Sequence, residues 1–168
     1  MQGSSARQLV PPVLLAATLI AAPFAASAAP PGPPPKDVDI SLPAGEACVF
    51  PLHVVGTDSK AQVITHKNGR VITAGKGFTL TFTNEATGKT VTIRSSGSVQ
   101  KTTTNPDGTS TVEITGGNVL ILFPSDVPAG PSTKQYVGRV VYTVDANGVF
   151  TVQSTSGTQR DVCAELAG

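Results

Sequence analysis

Few residues in this chain of 168 residues have side chains that commonly carry catalysis or bind metals. There are two histidines, His53 and His66, and two cysteines, Cys48 and Cys163. A zinc site needs three or four Cys, His or carboxylate ligands at workable spacing, and the sequence offers no such cluster. Both histidines lie in or beside runs typical of β-strands, so we interpret them as strand residues and expect neither a metal nor a cofactor.

A hydrolytic site would need a nucleophile with a base, or two converging carboxylates. No serine lies in a Gly-x-Ser-x-Gly elbow, and only the two histidines are available as a base. Carboxylates are present, but most lie in predicted turns, where an aspartate stabilises the turn locally. The sequence therefore favours a non-enzymatic protein and keeps a small extracellular hydrolase as an alternative. The candidate carboxylates are Asp58, Glu85, Asp107, Glu113 and Asp126.

Threonine is the most distinctive candidate for surface chemistry. Between residues 77 and 94, apolar residues alternate with threonines, and a period of two places the threonines on one face of a sheet. An array of methyl and hydroxyl groups suits contact with a polymer such as a glycan or ice, although threonine is also favoured at ordinary solvent-facing strand positions. The candidate binding surface consists of Thr79, Thr81, Thr83, Thr90 and Thr92. Further threonines that would extend it are Thr102, Thr104, Thr109, Thr111 and Thr115.

The longest irregular stretch inside the domain is residues 124–132, rich in proline and small residues. Loops on β scaffolds often carry function, so residues 125–132 are a candidate binding loop, with Ser125, Asp126, Pro128 and Pro131 as its candidate contacts. Presented to a protease, such a loop would make the protein a secreted inhibitor. The other interpretation is a proline-rich crossover between two sheets.

The elements that must position these residues are short β-strands separated by turns. Asn68-Gly69 predicts a tight two-residue hairpin turn, and residues 105–108 (Asn-Pro-Asp-Gly) predict a type I turn followed by a bulge. Residues 118–123 are apolar on both faces, which predicts a strand covered on both sides. The pattern predicts an all-β, single-domain antiparallel β-sandwich or barrel, with about nine or ten short strands in sequential hairpins and no helix.

Residues 1–28 have the features of a secretory signal peptide: Arg7, an apolar run and an Ala26-Ser27-Ala28 cleavage pattern. Residues 29–36 read as a proline-rich linker, and residues 37–168 as the secreted β domain. Removing Arg7 from the 12 basic residues leaves 11, equal to the 11 acidic ones. This balance gives no support for nucleic-acid binding, and no apolar run after the signal peptide is long enough to span a membrane.

In a secreted chain, a lone pair of cysteines is most simply one disulfide. A Cys48–Cys163 bond would tie the second predicted strand, which begins at Cys48, to the C-terminal tail. Closing so long a loop contributes roughly 4 to 5 kcal/mol in the chain-entropy description.

The stretch at residues 136–152, followed by Asp161-Val162-Cys163, resembles small uncharacterised secreted proteins of high-GC Gram-positive bacteria, as do residues 101–111 and 119–124. The likeness covers about Cys48 to Cys163 and rests on strands and hairpin turns. It implies an extracellular location and an all-β fold, and it brings no activity. We therefore expect a secreted, non-enzymatic β-sandwich that binds an envelope glycan or an extracellular protein.

Overall fold

The computed structural model describes residues 37–168, so the predicted signal peptide and proline-rich linker lie outside the described residues. The described chain forms two antiparallel sheets and one short helix, which confirms the all-β sandwich prediction. The elements are β1 (Val38–Leu42), β2 (Leu52–Thr57), β3 (Lys60–Thr65), β4 (Val71–Lys76), β5 (Thr79–Asn84), β6 (Thr90–Arg94), β7 (Ser98–Thr104), β8 (Ser110–Leu122), β9 (Ser132–Val144), β10 (Phe150–Asp161) and α1 (Val162–Ala167).

The small sheet has the strand order β1-β2-β5-β6, and the large sheet has the order β10-β9-β8-β7-β4-β3. Links of only two or three residues carry the chain between the sheets after β2, β4 and β6. Because β2 pairs with β5 while β3 pairs with β4, the two arms form one long hairpin that turns a corner between the sheets. Strands that pass from one sheet to the other through a bend are typical of sandwiches whose two sheets join at a corner.

A row of glycines crosses the long strands of the large sheet. Gly116, Gly138 and Gly157 are paired directly across β8, β9 and β10. At Gly138, φ is +150°, and an added Cβ would lie 2.1 Å from the Ser156 carbonyl oxygen. Only glycine fits there, and glycines at such positions let a sheet bend sharply. The sequence patterns predict two strands in place of β8, one over residues 109–115 and one over residues 118–123.

Two hydrophobic cores result. The first lies between the small sheet and the C-terminal half of β8 in the large sheet. Its largest fully buried side chain is Phe82. The second lies on the opposite face of the large sheet and includes Val140 and Tyr142. In β8, Val119 and Ile121 pack against the first core, whereas Leu120 and Leu122 belong to the second. Residues 118–122 are therefore covered on both sides, as predicted.

The predicted Cys48–Cys163 disulfide is present, with the two Cα atoms 5.6 Å apart. Its setting differs from the prediction, because Cys48 lies in the irregular segment before β2 and Cys163 lies in α1. This helix was not predicted. It has only six residues, too few for a helical period to stand out, and it begins where the Asp161 side chain accepts a hydrogen bond from the Ala164 amide.

The hairpin turns follow one design. In residues 105–109, the Asn105 amide donates to the Thr109 carbonyl and the Gly108 amide donates to the Asn105 carbonyl, which confirms the predicted turn and bulge. The turn at Asn68-Gly69 has the same bonds, between His66 and Arg70 and between Gly69 and His66. The prediction of a two-residue turn there is wrong, because only the glycine of the pair has a positive φ.

Candidate functional site

The outer face of the small sheet is a flat array of mainly hydroxyl-bearing side chains, which we call the threonine face. Strand pairing sets its transverse rows. Thr83 lies opposite His53 and Thr90, Thr81 lies opposite Val55 and Thr92, and Thr79 lies opposite Thr57 and Arg94. The structure thus brings all five threonines of the candidate surface onto one face of two neighbouring strands.

Packing beneath the threonine face holds it in place. The alternate residues Leu52, Val54 and Phe82 point inward and are almost completely buried. On the outer side, the hydroxyl oxygens of Thr81 and Thr92 lie 3.3 Å apart and form a hydrogen bond. Adjacent strands lie about 4.8 Å apart, and residues i and i+2 about 6.6 Å apart, so the face presents a regular grid of methyl and hydroxyl groups.

One edge of the threonine face is polar and ionisable. His53 Nε2 lies 2.7 Å from Asp39 Oδ1, and the Ser41 hydroxyl donates to Glu85 Oε1 at 3.2 Å. The His53 side chain is 33% exposed and that of Asp39 is 77% exposed, so the pair lies on an open surface. Sequence reasoning missed this contact because it depends on the pairing of β1 with β2, which no local pattern reveals.

The additional threonines do not extend this surface. They belong to β7, β8 and the turn between them, all in the large sheet. Thr102 lies opposite the buried Val112, whereas Thr111 and Thr115 point to the other side of the sheet. The Thr109 hydroxyl donates to Asp107 within the turn at 2.7 Å. The threonine face is therefore confined to the small sheet, and the further threonines lie apart from it.

The candidate loop is fixed at its base and exposed at its tip. Asp126 is buried, and its carboxylate accepts hydrogen bonds from the amides of Phe123 at 2.6 Å and Phe150 at 2.8 Å. Val127 bonds to β10 through both its amide and its carbonyl group. Ser125 and Pro128 are exposed, and Pro131 is half-buried. Asp126 thus fastens the loop to β10, while the exposed residues remain available for contact.

A cavity of about 260 Å³ lies where the two sheets separate, between the end of β6 and the middle of β8. Its apolar wall includes Phe78, Leu80, Ile93 and Val119. Side-chain amides and hydroxyls line the rest, and Arg94 is the one ionisable residue among those that line it. No local sequence pattern indicates this cavity, because its walls come from strands far apart in the chain.

Apart from the pair formed by His53 and Asp39, the candidate carboxylates and histidines lie in separate parts of the described fold. Glu85 bonds to Ser41, Asp107 lies in a turn, and Asp126 is used by the loop. A hydrogen bond from the Thr109 hydroxyl lowers the pKa of Asp107, and a hydrogen bond from Arg139 lowers the pKa of Glu113. A general acid needs a raised pKa, so neither carboxylate suits that role.

Across residues 37–168, no group of three or more His, Cys, Asp or Glu residues is placed to hold a metal ion. No helix in the described part of the chain has the length and apolar character needed to cross a membrane. The candidate residues thus lie on two surfaces, the threonine face and the exposed loop, and the cavity of about 260 Å³ lies between the sheets.

Neither a family model, nor a curated protein, nor a solved structure matches the chain.

Proposed function

We propose that the protein is a secreted, non-enzymatic binding module whose threonine face binds a polysaccharide surface of the cell envelope. The observation that carries the proposal is the regular grid of threonines on one sheet face, which no other element of residues 37–168 covers. The disulfide and the predicted signal peptide support an oxidising, extracellular setting. The likeness to secreted bacterial proteins supports the choice of the envelope.

The chemistry of the threonine face suits a neutral polymer. Each threonine offers a hydroxyl that both donates and accepts hydrogen bonds, beside a methyl group that packs against the C–H surface of a sugar ring. The core already holds the strands of the threonine face in place, so this face loses little conformational entropy when a ligand binds. Many weak contacts repeated along one polymer chain then add together.

The test is retention of the purified domain on insoluble cell-wall glycan, chitin and cellulose. We expect retention on one polymer, and we expect Thr81→Lys at the centre of the threonine face to abolish it. Thr103→Lys is the matched control, because Thr103 is exposed in β7 of the large sheet. Equal retention of both variants, or none on any polymer by the unaltered protein, would contradict the proposal.

A second candidate function is inhibition of a protease by the exposed loop, and it is favoured by the anchored base at Asp126 and Val127. An inhibitor loop must be both exposed and rigid. If this function is correct, we expect the protein to inhibit one of a panel of secreted serine proteases and to dissociate from it slowly. We expect Val127→Asp to lose this inhibition. Val137→Asp is the control, because Val137 has a similar exposure in β9. If the protein reduces the activity of no protease in the panel, the inhibitor function is wrong.

A further inference from the structure

The cavity between the sheets is bordered by two strand edges that have no partner strand in the described part of the chain. β6 is the last strand of the small sheet. β7 pairs with β8 only as far as Gly116, so the second half of β8 pairs with β9 alone. The two free edges face each other across the point where the sheets separate.

The directions of the backbone groups follow from the bonds that are present. Hydrogen bonds in an antiparallel pair alternate from residue to residue. The Gly117 amide donates to the Gly97 carbonyl at 3.2 Å, so the N–H and C=O groups of Val119 and Ile121 point to the same side, away from β9. By the same reasoning from the Asn84–Lys89 bond, the backbone groups of Thr92 and Arg94 point away from β5.

Within residues 37–168, no hydrogen bond is made by the outward backbone groups of these four residues. Val119 and Ile121 are half-buried, whereas Thr92 and Arg94 are exposed. The unpaired groups of a strand edge are a template for another chain, because an extended chain supplies donors and acceptors at the required spacing. The cavity wall beside them is apolar, with Phe78, Leu80 and Ile93 placed to receive alternate side chains.

We propose that this cleft binds an extended peptide segment, which adds as a strand between β6 and β8. Strand addition takes its affinity from main-chain hydrogen bonds and its selectivity from pockets for alternate side chains. The charge of the cleft determines which end of the peptide lies beside Arg94. Arg94 is the one ionisable residue of the lining, so the fitting ligand carries a carboxylate there. The site lies on the inner side of the small sheet and meets the threonine face only at Arg94, the last residue of β6, which lies at the edge that the two share.

The experiment uses the ¹⁵N-labelled oxidised protein of residues 29–168 and the synthetic peptide acetyl-Thr-Val-Thr-Val-Asp with a free C-terminus. We expect saturable chemical-shift changes, and slowed hydrogen exchange, at the amides of Thr92, Arg94, Val119 and Ile121. Methylating the two valine nitrogens of the peptide should remove binding, because it removes main-chain donors. Arg94→Gln should weaken binding about tenfold, the loss of a charge-assisted hydrogen bond.

Ala61→Phe provides the second arm, because Ala61 lines the cavity and a larger side chain fills it. The control is Gln62→Phe, which places the same ring on the opposite side of β3. We expect Ala61→Phe to abolish binding and Gln62→Phe to leave it unchanged. Binding that survives in Ala61→Phe, or that the methylated peptide retains, would overturn the proposal. So would the lack of saturable shifts at millimolar peptide, a result that needs no variant to fold.

Discussion

At the scale of single residues, the role that the structure shows for Asp126 differs from the role that the sequence predicts. The sequence offers it as a contact in a projecting loop, and the structure buries it beneath that loop. Its two carboxylate oxygens accept from two amides, one three residues before it and one 24 residues after it. The carboxylate therefore joins the end of β8 to the start of β10.

We predict that Asp126→Ala lowers the free energy of unfolding by about 3 kcal/mol, because two charge-assisted hydrogen bonds are lost and two amides are left without a partner. Urea denaturation measures the loss, and hydrogen exchange should rise first at Phe123 and Phe150. Ser125→Ala is the control, expected to change the free energy by less than about 0.5 kcal/mol because Ser125 is exposed. Equal stability of the two variants would contradict this role of Asp126.

Local residue chemistry was readable from the sequence where the bonding partners are close in the chain. The turn at Asn105–Gly108 was predicted because its bonds span only a few residues. The bond from Phe150 to Asp126, and the contact between His53 and Asp39, depend on which strands become neighbours. No pattern of residue types encodes that choice locally.

At the scale of elements, glycine explains the main error in the predicted strands. The sequence patterns predicted one strand over residues 109–115 and another over residues 118–123, with Gly116-Gly117 between them. In the structure, the glycines of three neighbouring strands lie opposite one another, and the pairing of β8, β9 and β10 continues through them. The alternation of threonine with apolar residues was a more reliable guide, because a side chain's face depends on the strand alone.

We predict that Gly138→Ala destabilises the fold by about 3 kcal/mol or more, since it combines backbone strain with a collision against the Ser156 carbonyl. Gly148→Ala is the matched control. Gly148 also has a positive φ, of +80°, but its Cβ would meet nothing within 4 Å, so we expect a cost of only about 1 kcal/mol. Thermal and urea unfolding of the two variants compare them directly. Similar losses would mean that the glycine row is not sterically required.

At the scale of the whole molecule, the sandwich and the disulfide followed from the sequence, whereas the layering of the sheets did not. Strand count and turn spacing predicted a sandwich or a barrel, and the structure has the two packed sheets of a sandwich. The cavity arises because β6 and the second half of β8 diverge beyond Gly116, which is a property of the complete topology. The cavity therefore cannot be predicted from the separate segments, because it depends on which strands become neighbours.

We predict that replacing both Cys48 and Cys163 by serine lowers the free energy of unfolding by about 4 kcal/mol, because the bond closes a loop between residues 115 positions apart. Urea denaturation of the oxidised protein and of the double variant measures this difference. Adding a reductant to the unaltered protein should reproduce the loss, and should leave the double variant unchanged. A double variant as stable as the oxidised protein would contradict the prediction.

The disulfide also determines how the molecule would respond to a pulling force applied between its two ends. The load would pass through the Cys48–Cys163 bond and bypass the chain between those residues, which holds nine of the ten strands. Of the elements in residues 37–168, only β1 and the end of α1 lie outside this covalent shortcut and can be extended by the force. The threonines of β5 and β6 lie within it, so the threonine face would keep its structure under mechanical tension.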